Sequence, residues 1–306
     1  MLPRRSCWPR HSRPKSLFSD QGRLAPAQAA LHISAMSRWT LDDIPWDRFD
    51  PSKVDADLLA VAKAASLVER NGGDYATYLC NVFSDDPEMQ EAARAWGQEE
   101  IQHGMALGRW ARMADPAYDF DGAFERFAQV IRLPLDAADS VRGSRAGELV
   151  ARCMVEVGTS SYYTALAEKA EEPVFQAICR KIAADEHRHY KLFYVHLDRY
   201  VAREGLGFWG RLRVAAGRIT ESEDDELAYA YYAANENAGP YDRATANRAY
   251  ARRAYAVYRR PHIERGLAMA FKAIGLDPQG RLHRIATSLA WTYIRARARR
   301  LAEAAA

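Results

Sequence analysis

The same short pattern, an acid followed by Glu-x-x-His, occurs twice in this chain. It reads Glu99-Glu100-Ile101-Gln102-His103 in the first copy and Asp185-Glu186-His187-Arg188-His189 in the second. Residues three positions apart lie on one face of an α-helix. If both copies are helical, Glu100 with His103, and Glu186 with His189, can each hold one metal ion.

The residues around both copies have the composition and spacing of helices. From Met36 onward Ala, Leu, Glu, Arg and Tyr dominate, apolar residues recur three or four positions apart, and no alternating strand pattern stands out. One helix is predicted to begin at Asp86-Pro87, an N-cap followed by proline at the first helical position. The sequence therefore predicts an all-α fold with four main helices, over about residues 55–83, 86–113, 144–169 and 172–203.

The connections between these helices predict how they are arranged. Two or three residues around Ser84-Asp85 join the first pair, and a similar turn around Glu171 joins the second, so each pair forms an antiparallel hairpin. The far longer segment 114–143 can cross from one end of a bundle to the other. Two hairpins with one long crossover form a ferritin-like four-helix bundle, here expected over 36–204. About three further helices are expected to pack outside it, over 205–306.

The candidate ligands lie at matching distances from the predicted turns. Glu69 and Glu100 are 31 residues apart with their midpoint at 84.5, and Glu156 and Glu186 are 30 apart with theirs at 171. Residues equidistant from a hairpin turn lie at one height, here roughly 23 Å from the turn at about 1.5 Å per residue. One Glu from each of two helices and Glu-x-x-His from each of the other two is the ligand set of di-iron bundles. The predicted metal ligands are Glu69, Glu100, His103, Glu156, Glu186 and His189.

Glu156 gives an energetic argument for a bound cation. It is the only charged residue between Cys153 and Ala167, in a helix whose other residues are typical of a core. An unpaired buried carboxylate costs several kcal/mol. A divalent metal would offset that cost, and pairing with a distant arginine is the alternative.

Two residues are candidates for the metal ligand on the first helix. Asn71-Gly72-Gly73 follows Glu69 directly and could end one helix, which would let Asp74 cap another. Asp74 is the alternative ligand, but its midpoint with Glu100 lies at 87, past the predicted turn. We therefore favour Glu69.

The ligand chemistry and its surroundings indicate the metal. Carboxylates and imidazoles without thiolates suit iron, with manganese as an alternative, rather than structural zinc. Ligating histidines usually donate their second N–H to an acid. Glu99 and Asp185 are the candidates to accept it from His103 and His189 across the bundle, or they are exposed helix acids. His187 is expected at the surface.

These motifs resemble those of the soluble acyl-acyl-carrier-protein desaturases, within the ferritin-like di-iron carboxylate superfamily. EEIQHG (99–104) is similar to their EENRHG, and IAADEHRH (182–189) to their IAADEKRH. Glu156-Val157-Gly158-Thr159 is similar to their Glu-x-x-Thr, which implies that Thr159 takes part in oxygen activation. Alternatively, the Thr159 hydroxyl bonds back to helix carbonyls. The resemblance covers roughly residues 55–200; the stretch 74–78 and the C-terminal third depart from it.

The resemblance implies a di-iron oxidoreductase that uses dioxygen to oxidise an organic substrate. Desaturation of an acyl chain is the favoured reaction, with hydroxylation or N-oxygenation as alternatives. The implied partners are a ferredoxin-like electron donor and an acyl carrier protein, and a homodimer is left open. The alternative function is iron handling or peroxide scavenging, as in ferritin-like and rubrerythrin-like proteins. Against it stand the chain length and the lack of a rubredoxin-type cysteine cluster.

Charge is distributed unevenly along the chain. Residues 1–35 carry six Lys/Arg and one acid, or +5, and residues 241–306 carry fourteen Lys/Arg and four acids, or +10. The total of +3 leaves −12 for 36–240. The basic C-terminal segment could steer an acidic carrier, or it is a solvated arginine-rich helix face. Its Arg and Tyr residues give little support for nucleic-acid binding.

Three further features bear on location. The four cysteines are scattered without a Cys-x-x-Cys pair, which suits a reducing cytoplasm. No apolar stretch is long enough for a membrane span.

Residues 1–35 are rich in Arg, Ser and Pro, as in a transit peptide or in a translated upstream region with Met36 as the true start. We favour the second interpretation and exclude these residues from the fold.

Overall fold

The computed structural model of the chain describes residues 39–221, 225–236 and 239–304. Within these ranges most residues are helical and no β-strand occurs. The predicted all-α fold is confirmed. The predicted extension over 1–35 lies outside the described residues.

The helices of the bundle begin and end close to the predicted positions. After three short 3-10 turns between Leu41 and Lys53, the helices are α1 (Ala56–Arg70), α2 (Gly72–Val82), α3 (Pro87–Ala114), α4 (Phe120–Val130), α5 (Arg145–Lys169) and α6 (Pro173–Glu204). Asp86 caps α3 as predicted and accepts from Met89 N–H. Ser144 and Glu172, near the predicted starts of α5 and α6, likewise accept from Gly147 N–H and Phe175 N–H. The helix α4, within the crossover, was not predicted.

The first predicted helix is in fact two. It breaks at Asn71, which ends α1 and precedes α2. Asp74 does not cap the second helix; its backbone N–H bonds to the carbonyl of Asn71. The two pieces together still run antiparallel to α3, so the hairpin prediction holds.

The two hairpins and the crossover give the ferritin-like arrangement. Four residues, 83–86, join α2 to α3, and three residues, 170–172, join α5 to α6. The long helices α3 and α6 pack against each other and unite the hairpins. Segment 115–144, with α4, connects them. The predicted fold class is confirmed.

The core consists of two apolar layers. One contains Leu67, Leu107, Phe175 and Ile182, and the other contains Leu79, Trp96, Phe193 and Leu197, along with their neighbours on the same helices. All the predicted ligands occupy the level between the two layers along α1, α3, α5 and α6. Apolar packing on both sides keeps water away from that level.

More helices follow the bundle than the three expected. They are α7 (Phe208–Thr220), α8 (Asp225–Asn235), α9 (Arg243–Ala256), α10 (Arg260–Ile274) and α11 (Arg281–Glu303). Turn residues divide the segment: Asp242 caps α9, Pro261 lies in the first turn of α10, and Gly275 ends it at φ +84°. The helix α8 packs on α1, and α10 packs on α5. Among the described helices, none is long and apolar enough to cross a membrane.

Candidate metal centre

The structure brings the six predicted ligand side chains together in the middle of the bundle. They form two groups, Glu69-Glu100-His103-Glu186 and Glu100-Glu156-Glu186-His189. Within each group, one ligand atom of every residue lies within 4.8 Å of the others. Glu100 and Glu186 belong to both groups, which is the arrangement of two adjacent metal positions with shared carboxylates.

Each imidazole points one nitrogen into the centre. His103 Nδ1 lies 3.5 Å from Glu69 Oε2 and 3.3 Å from Glu186 Oε1. His189 Nδ1 lies 3.0 Å from Glu100 Oε1 and 3.7 Å from Glu156 Oε2. All six side chains are buried. Asp74, the alternative to Glu69, is outside both groups, and His187 is exposed as expected.

Many inward-facing atoms of these residues have no hydrogen-bond partner among the described residues. They are Glu69 Oε2, Glu100 Oε1, His103 Nδ1, both Glu156 carboxylate oxygens, Glu186 Oε1 and His189 Nδ1. Buried polar atoms are rarely left unsatisfied, and a concentration of them needs an explanation. All are oxygen or nitrogen atoms suited to ligate a metal, so the donor set fits metal ions at this position.

Burial and mutual repulsion disfavour the charged form of two carboxylates of the centre, Glu69 and Glu156. Burial, together with the charge of Glu100, raises the pKa of Glu69 to about 8. Burial and the charge of Glu186 likewise raise the pKa of Glu156 well above its usual value. The four carboxylates carry up to four negative charges in a dry interior, which two divalent cations would balance. The centre is therefore suited to hold metal.

The outer nitrogens of the two histidines bond to acids from the facing helices. His103 Nε2 lies 3.0 Å from Asp185 Oδ2, and His189 Nε2 lies 2.8 Å from Glu99 Oε2. These are the two acids that the sequence offered for this position. Burial alone would lower the histidine pKa values, but the surrounding carboxylates raise them well above the usual range. The contacts fix the ring orientations, so that Nδ1 faces the centre.

Arg188 joins the two outer pairs. Its guanidinium lies 2.7 Å from Asp185 Oδ1 and 2.8 Å from Glu99 Oε2. Sequence reasoning did not find this role. The available signal was its position three residues after Asp185, on the same helix face.

Two aromatic residues also contact the centre in ways that the sequence did not reveal. Trp39 Nε1 donates to Asp185 Oδ2 at 2.7 Å, and its ring stacks on His103 at 5.9 Å between centroids. The Tyr163 hydroxyl donates to Glu69 Oε1 at 2.5 Å. Trp39 precedes the bundle, and no local pattern links it to Asp185.

Thr159 contacts both the centre and the carbonyls of its own helix. Its hydroxyl lies 2.5 Å from Glu186 Oε2, and 3.2 Å and 3.4 Å from the carbonyls of Val155 and Glu156. A hydroxyl has one proton to donate, and the short contact to the carboxylate favours donation to Glu186. Thr159 therefore orients a shared carboxylate of the centre.

No protein-family model and no curated protein matches this chain. Among solved structures, it is similar to the X-ray structure of the "putative acyl-ACP desaturase DesA2" from Mycobacterium tuberculosis H37Rv. The two are 17% identical, with 85% of this chain and 95% of that chain covered and a TM-score of 0.48. From its own geometry, this chain is a ferritin-like helical bundle with a buried carboxylate and histidine centre suited to hold metal.

Proposed function

We propose that the protein is a di-iron oxidoreductase that uses dioxygen to oxidise an organic substrate, with desaturation of an acyl chain as the favoured reaction. The observation that carries the proposal is the pair of four-residue groups sharing Glu100 and Glu186. Each metal position would have one histidine, one carboxylate of its own (Glu69 or Glu156) and both shared carboxylates. Such oxygen-rich sites suit iron, with manganese as the alternative.

Two bound irons would supply the redox and Lewis-acid chemistry that the protein's own side chains lack. The protein would contribute orientation and a dry environment. Asp185 and Glu99 hold the imidazoles, Tyr163 holds Glu69, and Thr159 holds Glu186. Because Thr159 is the hydroxyl nearest a shared carboxylate, we assign to it the delivery or retention of a proton beside the reacting centre.

The dryness of the centre supports oxidation of a substrate. Apolar layers lie on both sides along the bundle. Excluding water protects a reactive centre from side reactions. A protein that only stores or transports iron has less need of this protection.

We propose a ferredoxin-like protein as electron donor and an acyl carrier protein as the bearer of the substrate. An acidic carrier would be steered from a distance by the net charge of +10 on residues 241–306. Three cysteines, Cys80, Cys153 and Cys179, are free, in keeping with a reducing compartment, and we propose the cytoplasm.

The test is to load the protein anaerobically with ferrous iron, admit oxygen and record the visible spectrum, with and without acyl carriers. We expect two irons per chain, an oxygen-dependent absorption change, and an oxidised acyl product identified by mass spectrometry. Glu186→Gln should abolish all three, and Glu171→Gln, at an exposed position, should abolish none. Two irons bound with no product from any carrier tested would instead favour iron handling or peroxide scavenging.

A further inference from the structure

The last helix, α11, exposes a stripe of large apolar side chains. Leu282, Ile285, Leu289 and Tyr293 follow one another at steps of three and four residues, so they share one face. They are 55%, 57%, 66% and 59% exposed. The opposite face, with His283, Thr287 and Leu301, is buried where α11 meets α9 and α10. The stripe therefore faces away from the protein.

Arginines without ion pairs accompany the stripe. Within the described part of the chain, no carboxylate lies within ion-pair distance of Arg281, Arg284, Arg295, Arg299 or Arg300, and the one acid of α11 is Glu303 at its end. Several arginines on the neighbouring helices are paired: Arg252 and Arg253 with Asp57, and Arg265 with Glu168. Among the described residues, the charges of the five α11 arginines named above are thus uncompensated.

A cavity opens beside these arginines. It has a volume of about 200 Å³ and lies between α9 and α11. Tyr255, Tyr258 and Trp291 line it together with Arg295 and Arg299. Aromatic walls next to two guanidinium groups suit an anionic group attached to an apolar body.

Charge decides among the possible occupants of this face. A second copy packed two-fold on the stripe would bring its arginines against those of the first. The chain's own residues 1–35 carry +5 and would be repelled as well. The occupant must be anionic, and it must also cover four large apolar side chains. An anionic lipid surface offers both properties to a helix lying in its plane, because its headgroups carry negative charge and its acyl chains accept apolar side chains.

We propose that α11 docks lengthwise on an anionic lipid bilayer. The stripe enters the boundary between headgroups and acyl chains, and the flanking arginines bind lipid phosphates. This contact needs no metal and does not depend on the proposed oxidation. It would hold the protein at a membrane surface through a helix that lies on the bilayer rather than across it.

The test is co-sedimentation of the full chain with vesicles of phosphatidylcholine alone or with a third of phosphatidylglycerol. We expect binding to the anionic vesicles only, weakened strongly by 0.5 M salt because charge interactions are screened. Ile285→Ser with Leu289→Ser, and separately Arg295→Gln with Arg299→Gln, should each weaken binding by about tenfold or more. Val130→Ser with Val141→Ser is the matched control, since both side chains are exposed and apolar but lie in the crossover. Its binding should be unchanged.

Three results would overturn the proposal. The first is no binding to anionic vesicles at low salt, or equal binding to both kinds. The second is binding to anionic vesicles that the Ile285 and Leu289 changes leave intact. Such binding would depend on charge alone and would point to residues 1–35 or to an acidic protein partner. In that case poly-glutamate should compete equally well against vesicle binding by the unaltered protein and by the Ile285 and Leu289 variant. The third is a dimer in solution that the same two changes dissociate, without vesicle binding.

Discussion

Gly72 lies directly against Glu100. A Cβ atom at position 72 would fall 2.2 Å from Cβ of Glu100, closer than such atoms approach in proteins. The contact recurs on the other helix, since a Cβ at Gly97 would lie 2.5 Å from that of Ala76. Glycines therefore allow α2 and α3 to approach closely beside a shared carboxylate of the centre.

Replacing Gly72 with alanine should displace Glu100 and weaken metal binding. Overpacking of this kind costs about 1–3 kcal/mol, and Glu100 belongs to both proposed metal positions. We expect Gly72→Ala to unfold at lower denaturant and to bind fewer than two irons per chain, measured by urea titration and by iron assay.

Gly158→Ala is the matched control for this prediction. Gly158 lies in a helix two residues from Glu156, and a Cβ there meets nothing within 4 Å. Alanine should stabilise the helix by about 0.5–1 kcal/mol and leave iron binding unchanged. If the two variants bind iron equally, the close approach at Gly72 has no role in the centre.

Glu156→Gln should change stability in opposite directions with and without metal. In the metal-free protein the substitution removes a carboxylate that is buried beside Glu186, so the free energy of unfolding should rise by about 1 kcal/mol or more. With ferrous iron, a ligand is lost, and the stabilisation that binding gives should fall sharply. Anaerobic thermal unfolding with and without iron measures both effects. A variant that iron stabilises as much as the unaltered protein would exclude Glu156 as a ligand.

Thr159→Val should separate binding from reaction. Valine has nearly the same shape but cannot donate to Glu186, so metal binding should persist while substrate oxidation slows by about tenfold or more. Thr159→Ser keeps the hydroxyl and should retain most activity. Iron content and product formation are measured for both. Equal rates for valine and serine would assign Thr159 to its helix carbonyls alone.

His196 lies far from the centre, near the end of the bundle where α3 begins. The Arg199 guanidinium lies 2.9 Å from His196 Nδ1, which accepts its hydrogen bond, and Asp86 binds the same guanidinium. Burial, reinforced by the charge of Arg199, lowers the pKa of His196 to about 4, and the charge of Asp86 opposes this shift only partly.

This shift predicts a loss of stability in acid. Between pH 6.5 and about 4 the unfolded chain binds a proton at His196 that the folded chain does not, so stability falls as the pH decreases and levels off below that range. The total is about 3 kcal/mol at most. His196→Gln should flatten the curve of unfolding free energy against pH in this window. Parallel curves for the two proteins would contradict the prediction.

The sequence predicted most of the fold and the position of the candidate ligands because both depend on helix periodicity and turn spacing. The cap at Asp86 and the expected helix start at about residue 172 located the turns, and equal distances from those turns placed Glu69 with Glu100 and Glu156 with Glu186. Periodicity did not decide whether the first helix breaks at Asn71, since two helices in line have almost the pattern of one; only the Asn71-Gly72-Gly73 stretch offered the break as an alternative. Periodicity also underestimated the number of C-terminal helices, most of which are short and separated by turns.

The sequence did not predict the contacts that residues far apart in the chain make at the centre. Trp39 is 146 positions from Asp185, and Tyr163 is 94 from Glu69. A pattern within one helix specifies which residues share a face but not which side chain the neighbouring element brings to it. The pairs of His103 with Asp185 and His189 with Glu99 were one of the two alternatives considered for these acids, because ligating histidines usually donate their second N–H to an acid.

The single guanidinium of Arg188 has a consequence for the whole centre. Since Arg188 forms ion pairs with both Asp185 and Glu99, it links the acid that holds His103 to the acid that holds His189. A displacement of this one side chain would weaken a support of both imidazoles, although Trp39 still donates to Asp185. The two proposed iron positions would then lose affinity together rather than one at a time.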